Sequence, residues 1–294
     1  MRRYTYYICF CLLSILFSER IDFGLIKNNS IDEASGIAAS KQNNIIWTHN
    51  DSGGKSRIYG VGRDGSDLGF IKLAGAIAID WEDMSIGPGP EENQDYLYIA
   101  DIGDNFSKRK IKKIYRFKEP IINLDSTSTP FKIIIKDYDT IKFHYPDGKR
   151  DAESVMIDQR SGELYVVSKR DSTPHIYHIN PNSEDDVAEA TLIGKIELNN
   201  DGGYSRLNQI VAADISRDNT MILFKTYSSV ILIKKEYIET ISDAIQYKQI
   251  NLPYSPEPLG ESICWDPLGL GYYTLSEELN SIPTHLYYYN LNFK

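Results

Sequence analysis

From residue 20 onward the apolar positions fall in short runs, about four to eight residues long, broken by Gly, Pro, Asn and Asp. Residues 20–27, 33–39, 45–49, 57–61 and 68–73 each read as a strand. No helix fits between the turns that separate them, Asp64-Gly65 among them. Many short strands at close spacing predict a sandwich, a barrel or a propeller.

Repetition decides among these. Five segments place a carboxylate just ahead of a small or apolar run: Asp32-Glu33-Ala34-Ser35-Gly36-Ile37, Asp80-Trp81-Glu82-Asp83-Met84-Ser85-Ile86, Asp151-Ala152-Glu153-Ser154-Val155-Met156, Ala212-Ala213-Asp214-Ile215-Ser216 and Gly260-Glu261-Ser262-Ile263-Cys264-Trp265. After each comes a turn and then further strands. From Glu82 these are 96–100, 114–117 and an outer run at 131–136. From Glu153 they are 164–168, 175–179 and 191–198. From Asp214 they are 221–225, 230–233 and 245–252, with a short helix expected over 236–242. The anchors lie 47 to 71 residues apart, against roughly 40–50 for a four-stranded propeller blade. The last unit has only three strands before the chain stops, and one spare strand, 21–27, precedes the first. The prediction is an all-β, five-bladed propeller of four-stranded blades, closed by the N-terminal strand. Six blades is the alternative, and the strand count favours five. Segment 119–130 reads as an outer-edge excursion.

Residues 1–18 differ in composition. Arg2 and Arg3 precede an uncharged run from Tyr4 to Phe17, with the small Ser18 before Glu19-Arg20. This is the pattern of a secretory signal peptide, too short for a comfortable membrane span, with an uncleaved N-terminal anchor as the alternative, so the expected domain is 19–294 and the expected location is secreted or periplasmic. Cys9 and Cys11 fall inside the run without a lipobox. Cleavage would leave Cys264 alone, so no disulfide framework is expected. It would also remove Arg2 and Arg3 and take the net charge from −9 to −11, which argues against a duplex nucleic-acid partner. The expected partner is a small-molecule or carbohydrate ligand, with a monomeric chain and no stable membrane insertion.

In a propeller, the loops entering the inner strands share a face with the loops joining second and third strands. Here that face gathers Glu33, Asp80, Glu82, Asp151, Glu153, Asp214 and Glu261 with the segments 49–54, 101–105, 169–171, 225–227 and 277–280. The opposite loops are plain turns. Carboxylates converging on one axis need a cation, protons or basic neighbours. Oxygen ligands without histidine or cysteine at zinc spacing point to calcium. The expected metal ligands are Glu33, Glu82, Glu153, Asp214 and Glu261. Structural capping of neighbouring backbone is the alternative use of the same groups. Glu82, Glu153 and Asp101 are the candidate catalytic carboxylates. Asn50, Asp51, Asn105, Lys169, Arg170 and Lys225 are candidates for substrate binding. Trp47, Trp81 and Trp265 read as core.

The strand Gly260-Glu261-Ser262-Ile263-Cys264-Trp265 is similar to the Glu-Ser-x-Cys-Trp strand of the calcium-activated apyrase family, and Asp80-Trp81-Glu82 resembles that family's acidic inner strand. The resemblance covers these two motifs and the architecture, not the loops, and Asp214 departs from it. It implies an exported five-bladed propeller with one axial calcium, and supports the fold and the metal more than nucleotide hydrolysis. The wider pattern, His49-Asn50-Asp51-Ser52-Gly53 with Asp80-Trp81-Glu82-Asp83 and Asp101-Ile102-Gly103-Asp104-Asn105, resembles a group of exported bacterial propellers.

Three functions follow as expectations: a metal-dependent hydrolase of a phosphate-containing small molecule, a glycoside hydrolase using axial carboxylates such as Glu33, Glu82 and Glu153, or a non-enzymatic binding module with structural calcium.

Overall fold

A computed structural model describes residues 20–125, 129–198, 205–280 and 282–291. The expected signal peptide lies outside the described residues. Among those described, no helix is long and apolar enough to cross a membrane.

The chain opens with β1 (Arg20–Leu25) and then builds blade one from β2 (Ala34–Ala39), β3 (Ile46–Asn50), β4 (Arg57–Val61) and β5 (Asp67–Leu73). Blade two starts with β6 (Trp81–Pro88), β7 (Asp95–Asp101) and β8 (Lys112–Lys118), followed by β9 (Phe131–Ile135) and β10 (Asp139–His144). Next come β11 (Ala152–Ile157), β12 (Leu164–Ser168), β13 (His175–Ile179), β14 (Ala188–Glu189) and β15 (Thr191–Lys195). Blade four comprises β16 (Ile210–Ile215), β17 (Met221–Thr226), β18 (Val230–Lys234), a one-turn helix α1 (Ile241–Ala244) and β19 (Gln249–Leu252). Blade five holds β20 (Ser262–Trp265), β21 (Gly271–Leu275) and β22 (His285–Asn290). Its fourth strand is β1, antiparallel to β22. The five-bladed, N-terminally closed ring is therefore the observed fold, with blades of four to five strands.

Aromatic packing holds the closure. Phe23 stacks on Tyr288 at 5.8 Å, while Tyr272 stacks on Tyr289 at 4.9 Å inside the same blade. Five hydrophobic clusters make up the core, one between each pair of adjacent blades. Trp47, Trp81 and Trp265 all lie in them.

The fourth strand of blade two differs from the sequence expectation. It is β10, paired with β8, whereas β9 runs parallel to β5 on the outside of blade one. The cause is a tether in the segment before it. Glu119 accepts hydrogen bonds from the Trp47 indole (2.7 Å) and the Asn43 amide (2.8 Å), both of blade one. That pins the excursion across the blade boundary, and the Phe131 ring then packs edge-on against Trp47. Gly69 makes the close approach possible. Its φ is +124°, and a Cβ there would collide with the Phe131 backbone. The strand β14 repeats the device, adding in parallel to β10 of the preceding blade. The helix in blade four is shorter and later than 236–242, starting after Thr240, whose side chain accepts from the Asp243 amide.

Candidate functional site: a carboxylate ring at one mouth of the central channel

The inner strands do not enter the ring as regular strands. The pairing of β6 with β7 skips one residue between Trp81 and Asp83, and that of β11 with β12 skips one between Ala152 and Ser154. The skipped residues are Glu82 and Glu153. A bulge leaves its extra residue out of the ladder and re-aims its side chain, which is how two adjacent blades send a glutamate into the channel mouth. Glu261, just ahead of β20, adds the third. The loops after the second strands supply Asp51, Lys169, Tyr227 and Glu277.

These groups form three overlapping triads: Asp51 with Asp80 and Glu82; Asp51 with Glu261 and Glu277; and Glu82 with Asp151 and Glu153. Within each, one carboxylate oxygen per residue lies within 4.8 Å of the others. Glu82 and Glu153 are each 2% exposed, and Asp51 and Glu277 sit half-buried above them. Two full charges at 4.8 Å repel by about 3.5 kcal/mol at an effective dielectric of 20. Without a cation the ring therefore holds protons. Burial, then Glu261 and Asp80, pushes the Asp51 carboxyl up to about 7. Burial, with Glu261 and Asp51 beside it, pushes Glu277 up to about 8. Glu82 and Glu153 hydrogen-bond to each other, and burial drives both well above the usual carboxylate range.

Lys169 is the internal counter-charge. Its ammonium lies 2.8 Å from Glu153 and 3.6 Å from Glu261. Burial alone would lower its pKa, but those two carboxylates more than offset that and raise it. Tyr227 donates to Glu261 and lies under the Lys169 ammonium at 5.4 Å.

The other anticipated residues take different places. Asp101 is fully buried and already engaged, accepting from Arg109 (2.6 Å) and the amides of Asp80 and Ile79. It positions the loop that carries Asp80. Arg170 bridges Asp151 and Asn105 at the rim. The Asn50 amide donates to Ser30 and Asp32, tying down the loop entering β2. Lys225 is buried beside the ring, donates to the Gly260 carbonyl, and is held down to about 8 by burial. Glu33 is exposed and joins none of the triads.

Asp214 also stays out of the triads, for a clear reason. Its two oxygens accept from the amides of Ile215 (2.9 Å) and Trp265 (2.8 Å), stitching β16 to β20. Asp83 does the same with Met84 and Val155, stitching β6 to β11. Capping of neighbouring backbone is thus real, and among the triad carboxylates Asp151 shares it, accepting from the Asp104 amide (2.6 Å). The ring residues that sequence reasoning did not select as ligands are Asp51, Asp80, Asp151 and Glu277. Their loops had been placed on the right face, yet only the bulges and the ring curvature show which carboxylates meet.

A five-bladed propeller with an acidic mouth is the class that fold and site define. No protein-family model matches the chain, and no curated protein matches its sequence. Among solved structures, the PQQ-bound aldose sugar dehydrogenase from Streptomyces coelicolor matches at 8% identity and TM-score 0.50, over 92% of this chain and 98% of that one. A luciferin-regenerating enzyme matches at 8% identity and TM-score 0.49, over 93% and 95% of the two chains. A gluconolactonase from Xanthomonas campestris matches at 10% and 0.48, over 94% and 90%. At such identities the likeness is one of fold.

Proposed function

We propose that the carboxylate ring holds a hard divalent cation, calcium by preference, and that the protein is a cation-dependent hydrolase of a small, oxygen-rich substrate. The observation that carries this reading is the set of three overlapping carboxylate triads around two buried glutamates. The donor set is all oxygen, with no histidine or cysteine in any triad, which suits calcium and not zinc. Asp51, Asp80 and Glu82 would hold the ion, with Glu261 and Glu277 next to Asp51 and with Asp151 and Glu153 next to Glu82. A bound cation would polarise a substrate oxygen and favour hydroxide over water at the mouth. The chain's own residues supply the rest. With Glu82 on the ion, Glu153 beside it is the carboxyl placed to take up or give a proton at the mouth. Lys169 and Tyr227 fix the Glu261 carboxylate, and the Asp101–Arg109 pair fixes the loop carrying Asp80.

Among the described residues, every basic side chain close to the ring already pairs with a carboxylate or a carbonyl. The charge of a phosphate group would therefore be met by the bound cation rather than by an arginine or lysine cradle. A glycosidase reading fits less well. Its two carboxyls stand about 5 Å apart or more, on opposite sides of the scissile bond, whereas Glu82 and Glu153 touch. The test is turnover by the purified protein, with calcium and with chelator, on phosphoesters, nucleotides, lactones and glycosides. Calcium-dependent hydrolysis of one class, lost in Glu82→Gln, is expected. Calcium binding without turnover on any class would replace the hydrolase with a binding module.

A further inference from the structure

Beside the ring, between blades three and four, the structure holds a cleft of about 250 Å³. Its walls are the loop from Lys169 to Pro174, which joins β12 to β13, residues 196–198, which follow β15, and Ser205, Asn208 and Gln209, which lead into β16. Lys169 connects cleft and ring, since its side chain lines the cleft while its ammonium reaches Glu153 and Glu261. A molecule seated there lies within one side chain's length of the carboxylates.

We propose that this cleft receives the non-reacting part of the substrate and that this part is an uncharged polyhydroxylated group, a sugar or polyol; the proposal rests on the reading of the ring as the reaction site. The lining chemistry points to that class. Ser172 and Thr173 offer hydroxyls, Asp171 and Glu197 offer carboxylates that accept from hydroxyl donors, and the partly exposed Leu198, beside the buried Pro174, gives an aliphatic face for C–H groups. Lys169 is the one cation among the described lining residues, and Glu153 and Glu261 already claim its charge. Arg150 balances Asp171 from behind, which leaves Glu197 as exposed surplus negative charge. An anionic group would thus enter against a negative field with no free donor cation, whereas a neutral polyol loses nothing to that field.

The experiment is saturation-transfer NMR on the purified protein in chelator, with D-glucose and sorbitol as neutral probes and glucose 6-phosphate and gluconate as anionic ones. Working without metal separates binding in the cleft from coordination at the ring. Signals from at least one neutral probe and none from the anions are expected. Thr173→Trp should weaken the neutral signal at least tenfold while leaving calcium affinity within twofold of the parent. Ser172→Tyr, at an exposed position, serves the same purpose if the first variant unfolds. Glu197→Lys should bring in glucose 6-phosphate. The proposal is overturned if neither neutral probe binds, if binding survives both cleft-filling variants, or if the anions bind the parent as well as the neutral probes do. Neutral binding in a protein that takes up no calcium would remove the cation reading and leave the cleft standing.

Discussion

Removing the cation should make the protein lose stability as pH rises, the opposite of ordinary acid denaturation. The reason lies in Asp51. Unfolded, its carboxyl titrates near 3.8; in the folded ring it is held at about 7. A raised folded value contributes stability that is complete below about pH 4 and is lost as pH climbs through about 7. Keeping the charged form costs about 4 kcal/mol in the dry limit. Water at the mouth screens part of this, so about 2 kcal/mol is the working figure. For a chain of this length that is about 4 °C in melting temperature. The assay is a series of thermal melts between pH 5 and 7.5, in chelator and in millimolar calcium. The range stops at 7.5 because burial holds Lys112 and Lys225 down to about 8, and their titration has the opposite sign. Burial holds His49 down to about 4, so its titration between pH 5 and 6.5 also has the opposite sign. Asp51→Asn, which keeps His49, is therefore the reference: in chelator the parent should fall relative to that variant by about 2 °C or more, just over half of the full Asp51 window, across the range. Calcium should remove most of that slope. Asp214, which burial also holds at about 7 and which lies outside the ring, cancels in the same comparison. Asp51→Asn should melt higher than the parent in chelator at pH 7.5 and lose the calcium effect. A parent that does not fall relative to Asp51→Asn as pH rises in chelator, or an Asp51→Asn protein that melts lower than the parent at pH 7.5, would refute the electrostatic reading of the ring.

Three further outcomes follow. Asp83→Ala and Asp214→Ala each remove a carboxylate that accepts from two backbone amides on neighbouring inner strands, so each should lower stability by about 3 kcal/mol in urea melts while leaving calcium affinity within a few-fold. Lys169→Met removes the ammonium that competes for Glu153 and Glu261, and should tighten calcium at least tenfold by calorimetry while lowering the melting temperature in chelator. Deleting residues up to 27 removes β1 with its Phe23–Tyr288 stack and opens blade five, which should appear as a large loss of melting temperature and early proteolysis of β22.

The architecture was readable because blade geometry repeats a pattern that the sequence also repeats: a carboxylate, a small apolar run, a turn, and three more strands. The spare N-terminal strand counted correctly because ring closure is a matter of strand number. The outer strand of blade two was not readable. Residues 131–136 are more apolar than 139–144, and only the Glu119 tether to Trp47 and Asn43, far away in sequence, sends β9 to blade one. The site was legible as a face and not as a ligand set. Glu82, Glu153 and Glu261 stood out because glutamates ahead of buried strands are unusual. Asp214 looked the same in one dimension, but it keeps its place in the β16 ladder while Glu82 and Glu153 fall on bulges. A bulge is a property of pairing, which a single strand's sequence does not carry. Asp51 and Glu277 come from loops that only ring curvature brings over the axis.

Whether the ring binds a divalent cation is decided by isothermal titration of chelator-stripped protein with calcium at pH 7.5. Saturable binding of at least one calcium per chain is expected, with proton release, weakened at pH 6 and abolished in Glu82→Gln. No heat of binding in the folded parent, or binding that Glu82→Gln leaves intact, would contradict it.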